Sequence, residues 1–519
     1  MFAQVRGSGR PATGPSDRRR LVPALAVALA TVIGAALRID VATQDFFGDE
    51  LSSYWIISKH GLGDVLSTIH SDAEISPPLS FLAGWLASKA SLDPEVVRLP
   101  SLIAGVATIP LVYLVGKRTV GRGPAAVAAA VTALAPFMVY YSAEARGYAL
   151  MMAFVTLSTL AMLVAVDEQR ARWWVVYGLA SCAAVYTHYS CVLVLGAQFV
   201  WLLWAHPEAR RPALIANVAA AVLYLPWITG FLADLDSPTT DILEALQPFD
   251  GYHARLALTH WSFGYPYSTV APLRDLPGDV GLVLLALGTL VALGGVAVTR
   301  LRGRERPPLP MPGRRMVLPF VLALATPVGG ALAAAAGNSS LFGTRNFAPS
   351  WPGLALAGAA VLALAGTRTR AVAAALLVAA FAISAVKVTE DRFSRPDYGG
   401  AAAYVDDQAG PRAVVIDGSA VRSPGPLSHL DAALREQHRI VRLEQPQQRD
   451  HPFNIGDPVV QPPEAVRRAA SLARGGRILV VTDEGQLRRL PPIRGYRHAA
   501  RRDFPGFYDV VVLTYEPAS

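Results

Sequence analysis

Asp49 and Glu50 stand together in the run Asp45-Phe46-Phe47-Gly48-Asp49-Glu50-Leu51, shortly after an apolar stretch that ends near Leu37. An ionisable side chain at membrane depth costs about 2.5–3.5 kcal/mol, so acids at such a boundary often mark a site. One carboxylate there can serve as general base for a hydroxyl nucleophile while the other orients the acceptor. The plainer reading is that both acids cap an interfacial helix over Leu51–Ser58 at its favourable N-terminal end. The two readings are compatible.

Three further clusters carry polar chemistry at the ends of apolar runs. Tyr140-Tyr141-Ser142-Ala143-Glu144-Ala145-Arg146-Gly147-Tyr148 places an acid and a base in one short turn. Glu144 and Arg146 either satisfy each other as an ion pair, or Arg146 binds a phosphate while Glu144 orients it or meets a sugar hydroxyl. Tyr186-Thr187-His188-Tyr189 supplies His188 and Tyr189 at another such end, where the tyrosines also suit an aromatic belt. Arg345, in Thr344-Arg345-Asn346, can partner an anionic leaving group or simply snorkel to the interface. Between residues 233 and 279, His253, Arg255, His260, Trp261 and Tyr265 could stack on a sugar or lie on the membrane. Asp45, Asp49 and Glu50 offer oxygens for a divalent cation, Mg2+ or Mn2+, but no Cys/His cluster marks a metal and no cofactor is certain.

These residues need a scaffold, and the composition says which kind. Of 519 residues, 52% are hydrophobic and only 17% charged, which excludes a disordered chain and argues against a cytosolic enzyme. Apolar runs of spanning length lie near 21–37, 99–116, 124–141, 146–166, 171–187, 189–205, 212–232, 278–299, 316–336, 350–366 and 370–387. A shorter run, 77–91, is read as re-entrant or interfacial. The sequence therefore predicts an α-helical polytopic protein with about eleven crossings.

Charge sets the orientation. The tail 1–20 and the turns Lys117–Gly123, Asp167–Arg172, His206–Arg211, Arg300–Arg315 and Gly366–Arg370 hold about 20 Lys and Arg in about 60 residues. The opposite side holds about 8 in twice that length. This predicts a cytoplasmic N-terminus, with all four clusters outside. The net charge of +8 is thus topology, with no nucleic-acid partner implied. From 391 the composition changes. Val414–Ile416, Ile478–Val481 and Val510–Thr514 read as strands around a helix at Pro463–Arg474. Residues 391–519 are expected to form a small extracytoplasmic α/β domain after a transmembrane domain over 21–390, whose first outer loop is 38–98.

The order of short motifs resembles the GT-C superfamily of polytopic glycosyltransferases, in particular the family 39-like group of protein O-mannosyltransferases and aminoarabinose transferases. It is carried by Gly48-Asp49-Glu50, Ser76-Pro77-Pro78-Leu79, Arg98-Leu99-Pro100-Ser101, Gly116-Lys117-Arg118 with Gly121-Arg122, and Tyr141 through Leu150. Many relatives have His before the Pro-Pro pair, where this chain has Ser76. The resemblance implies a GT-C fold and a polyprenyl-phosphate sugar donor, carrying mannose or another monosaccharide. It implies inverting transfer to a hydroxyl acceptor on a protein, glycolipid or glycan. It makes Asp49 the catalytic base, Glu50 an acceptor contact, and Arg146 and Arg345 candidates for the donor phosphate. The competing readings are a transporter or flippase and a non-catalytic scaffold that binds the envelope.

Overall fold

The computed structural model describes residues 15–58, 61–71, 74–237, 248–301, 313–419, 428–443 and 460–518. Residues 1–14 of the basic tail and most of the Arg300–Arg315 turn lie outside them. Among the described residues, eight helices are long and apolar enough to cross a membrane. A ninth span results if the bent pair Arg122–Leu134 and Pro136–Ser142 counts as one. All eleven apolar runs form helices, but Ala171–Val185 and Cys191–Ala205 have only 15 residues each. At 1.5 Å per residue such a helix is about 22 Å long, short of a hydrocarbon core of about 30 Å. Length alone therefore supports fewer crossings than eleven. The run 77–91 forms the helix Leu79–Ala87, whose 9 residues are too few to cross.

Burial ranks the spans. In Tyr148–Glu168, 78% of the apolar window is buried inside the protein, against 22% in Leu21–Ala42 and in Arg274–Leu301. Tyr148–Glu168 and Thr344–Leu364, at 72%, are thus the central helices, and the least buried turn apolar faces outward. Leu25 and Leu290 are both 65% exposed, which suits lipid rather than water.

The break in the bent pair follows from Pro136, which has no N–H to continue the ladder. The freed carbonyls need donors, because lipid supplies none. Arg38, from the first span and fully buried, provides them. It donates to the carbonyls of Ala133 at 2.9 Å and Thr132 at 3.0 Å, and to Ser142 Oγ at 3.0 Å. The bend of 60° is therefore satisfied from a neighbouring helix.

The C-terminal region is an α/β domain, as its strand runs predict. Strands β1 (Val414–Asp417), β2 (Arg439–Arg442), β3 (Ile478–Asp483), β4 (Tyr496–Phe504) and β5 (Val510–Pro517) lie in the order β2-β1-β3-β5-β4. The first three are parallel, and β5 runs antiparallel to β3 and β4. Side chains alternate between the faces. Val414 and Ile478 pack with Ala465 and Ala469 of the helix Pro462–Ala473. Val415 and Leu479 pack with Ala401 and Val405 of Tyr398–Gln408 on the other face. β2 and β4 carry no continuous apolar run, so the sequence reading misses both edges.

Candidate active site

The four sequence clusters mostly meet at one end of the bundle. The turns 117–123, 167–172 and 206–211 meet at the other, where Asp167 pairs with Arg118 and Arg315. At the first end, Asp49 is the residue before the helix Glu50–Ile57, as the capping reading requires. Its side chain, however, makes no cap bond. Its carboxylate turns instead to Arg345, at 2.9 Å from the guanidinium. The Asp49 side chain is 46% exposed, so a substrate can reach it.

Glu50 lies behind Asp49 and is fully buried. Arg98 donates to both its oxygens, at 2.8 and 2.7 Å, and Arg395 stands 3.4 Å away. Backbone N–H groups of Ala145 and Phe47 add bonds at 2.7 and 3.2 Å. Burial alone would raise the Glu50 pKa, but Arg98 and Arg395 outweigh it and hold the group ionised, below its ordinary value. With its oxygens so engaged, Glu50 acts as an anchor for the loop and not as a free acceptor group. Arg98 also donates to the carbonyls of Ala42, Gln44 and Asp45. It thereby caps the end of the first span and gathers the chain toward Glu50.

The ion pair of Glu144 with Arg146, one of the two alternatives, does not form. Arg146 instead makes a two-pronged bond to Glu74, at 2.6 and 3.0 Å, and that pair is about nine-tenths buried. Burial opposes its charge, yet Glu74 leaves the Arg146 pKa well above the ordinary value. Ser76, in the position that departs from the family pattern, donates to Glu74 at 3.1 Å. Glu144 is also buried, and its Oε2 has no hydrogen-bond partner among the described residues. Burial, then the neighbouring Glu50 charge, push its pKa up to about 8, so near neutrality it carries its proton. Gly147 makes the turn possible: a Cβ there would lie 2.7 Å from the Thr187 carbonyl.

That contact brings His188 beside Arg146 and Arg345. Its Nδ1 accepts from the Ser190 N–H at 3.2 Å, and its ring packs on Tyr148 at 5.3 Å. Burial and then the two arginine charges lower its pKa to about 3. The imidazole is therefore neutral, and Nε2–H remains to donate. Tyr189 turns away; its hydroxyl bonds Asp234 beside Trp227. Of the 233–279 aromatics, Trp261 and Tyr265 are buried and serve packing, against Phe347 and Tyr140 respectively. His260 is also buried and bonds the Tyr265 carbonyl at 2.7 Å. His253 pairs with Asp250, and Arg255 covers Tyr252.

The carboxylates at 45, 49 and 50 do not converge on a cation. Asp45 accepts from the Gly399 N–H at 2.6 Å, Glu50 is held by arginines, and Asp49 faces Arg345. Among the described residues, one group brings three ligand atoms within 4.8 Å, Asp406, Glu436 and His438 in the C-terminal domain. There, His438 and Asp406 already form a pair at 2.6 Å.

Sequence reasoning missed Glu74, Arg98 as an anchor, and Arg395. Each had a signal. Glu74 precedes the Ser-Pro-Pro motif, Arg98 opens a span, and Arg395 follows the last span.

Comparison with known proteins agrees with this architecture. Residues 76–231 match the family described as dolichyl-phosphate-mannose-protein mannosyltransferase. No curated protein sequence matches the chain. Among solved structures, the chain is similar to ArnT from Cupriavidus metallidurans bound to undecaprenyl phosphate. The identity is 16%, the match covers 94% of this chain and 97% of that one, and the TM-score is 0.53. It is also similar to the Archaeoglobus fulgidus oligosaccharyltransferase tethered with an acceptor peptide, at 13% identity, 90% and 70% coverage and a TM-score of 0.50. The chain is a multi-pass membrane protein with the GT-C glycosyltransferase fold, and the resemblance read from its motifs stands.

Proposed function

We propose that the chain transfers a monosaccharide, mannose or another, from a polyprenyl-phosphate donor to a hydroxyl acceptor on the outer face of the membrane. The observation that carries this reading is Asp49, a reachable carboxylate paired with Arg345 and grouped with Arg146 and His188. The basic turns gathered at the opposite end support placing Asp49 outside. The solved ArnT is bound to undecaprenyl phosphate, which supports a lipid-linked donor, and the oligosaccharyltransferase is tethered with an acceptor peptide, which supports a separate acceptor.

In the reaction, Asp49 takes the proton of the acceptor hydroxyl. That oxygen attacks the anomeric carbon as the bond to the phosphate oxygen breaks, with inversion. The lipid phosphate leaves with the charge, which Arg345 and Arg146 offset, and the neutral His188 donates to it. A phosphate is already a good leaving group, so no strong general acid is required. Arg345 links the two halves: a donor phosphate competes for it, and Asp49 is freed as the donor arrives. Glu50 holds the loop in place from behind.

The test is transfer from a panel of radiolabelled polyprenyl-phosphate sugars to a membrane extract, with wild type beside Asp49→Asn. Label in a new product with wild type alone supports the reading and identifies the sugar. Full turnover by Asp49→Asn would remove Asp49 as the base.

A further inference from the structure

The C-terminal domain does not hang from the last span by a free linker. Residues 394–399 run beside the first outer loop and are tied to it along their length. The Arg395 N–H donates to Gln44 Oε1 at 3.0 Å, and Gln44 Nε2 donates to Ser394 Oγ at 3.3 Å. The Gly399 N–H donates to Asp45. The domain's own β4–β5 turn grips the same linker, with Phe507 N–H donating to the Ser394 carbonyl at 2.9 Å.

Arg395 itself is buried at the site end. Its guanidinium donates to the carbonyls of Val41 at 3.3 Å and Ala143 at 3.1 Å, faces Glu50, and covers the ring of Tyr140 at 4.8 Å. One side chain therefore touches the end of the first span, the acid behind Asp49 and the Glu144 turn. A second attachment is made at Phe47 and Gly48, just before Asp49. His429, from the C-terminal domain, is sandwiched between Phe47 and Tyr398, with ring centroids 5.1 and 4.8 Å away. Its Nδ1–H donates to the Ser419 carbonyl at 3.0 Å, so its Nε2 accepts, and the Gly48 N–H lies 3.4 Å from it. Gly48 has a φ of +60°, a turn that favours glycine and aims this N–H.

We infer that Arg395 is a positioning residue for the transfer reaction, and that the C-terminal domain, through Arg395 and His429, fixes the loop that presents Asp49. The inference rests on the glycosyltransferase reading for its consequence, though not for its geometry. The domain is then a working part of the active site through the loop it positions. A loop with no regular structure between Thr43 and Asp49 depends on such outside contacts to hold a carboxylate in reach of a reacting hydroxyl.

The experiment uses the full chain in nanodiscs, as wild type, Arg395→Ala, Arg395→Lys and His429→Ala. Hydrogen exchange is read on peptides covering 44–57 and on strands β1 and β3. In Arg395→Ala, exchange over 44–57 should rise by about tenfold or more while β1 and β3 keep their protection. Transfer kcat should fall about tenfold or more with donor KM within about twofold, because Arg395 is buried and engaged with Val41, Ala143 and Glu50. Arg395→Lys should recover part of both, since a single ammonium cannot reach all three partners at once. His429→Ala should loosen 44–57 without unfolding the domain. Unchanged exchange over 44–57 in both Ala variants overturns the inference. So does an equal loss of protection in β1 and β3, which would mark a merely structural role. If Arg395→Ala does not fold, Arg395→Lys and His429→Ala decide the question on the same readouts. If wild type transfers no sugar from any donor, the proposed function fails, while the exchange measurements still decide the positioning.

Discussion

At the site end of the bundle, Arg98 and Glu50 meet at 2.7 Å with both side chains fully buried, and Arg146 and Glu74 meet at 2.6 Å with about a tenth exposed. At the opposite end, Arg118 and Asp167 lie 3.6 Å apart with about a quarter and a third exposed. The residue types are the same and the environments are not. Exposed pairs gain little over their hydration and are screened by salt. A buried pair has given up its hydration, so removing one member strands the other. On the sequence reading the charge of the basic end sets orientation, which needs only the count of Lys and Arg. The site end uses charge for geometry, which needs each partner in place.

The largest effect should follow from breaking the buried end. Arg98→Ala leaves Glu50 in a dry site and frees three backbone carbonyls. Loss of about 3–5 kcal/mol of stability is expected, read by thermal unfolding in detergent. A cost under about 1 kcal/mol would mean water reaches Glu50 and the contrast between the ends is smaller than the burial implies. Asp49→Asn should separate function from fold at the same end. Asp49 is half exposed and shares its partner with solvent, so the melting temperature should stay put. Transfer should fall by about 100- to 10,000-fold, the range for a lost general base.

How much of this was legible in the sequence differs between the two ends as well. The basic turns at 117–123, 167–172 and 206–211 could be listed from the sequence, because counting Lys and Arg requires no knowledge of partners. The site end was legible as a set of residues, Asp49, Glu144, Arg146, His188 and Arg345, but not as pairs. Sequence neighbours suggested Glu144 with Arg146, whereas the fold gives Arg146 to Glu74, 72 residues away. Arg345 pairs with Asp49 across 296 residues, and no local pattern carries such a distance. Strands β1, β3 and β5 were legible because both faces are buried and the runs are apolar. The edges β2 and β4 were not, because an edge strand with polar faces has no periodic signal. The span count is the part that length leaves open, because two runs are apolar enough but their helices stop at 15 residues.

Glu144→Gln sharpens the comparison in a different way. The Glu144 pKa is about 8 in the fold, against an ordinary value of 4.5. The fold therefore favours the protonated form. That contribution is fully present below about pH 4.5 and is lost as pH rises through about 8. Wild-type melting temperature should fall across that window. Glu144→Gln, which stays neutral, should flatten the fall. An unchanged slope would assign the pH dependence to other groups and place water beside the unpartnered Oε2.

The smallest effect should come from Asp167→Asn at the basic end. Asp167 faces two arginines, Arg118 and Arg315, so by counting contacts it is as well paired as Glu50. By exposure it is not: its side chain is 34% exposed, and water can take over the solvation of both arginines once the charge is gone. The loss should stay under about 1 kcal/mol at low salt and shrink further as ionic strength rises. Orientation should also hold, because it follows Lys and Arg and depends little on acids. Thermal unfolding at two salt concentrations checks this. A salt-independent loss as large as that of Arg98→Ala would mean that the number of partners, and not their burial, sets what an ion pair contributes in this fold.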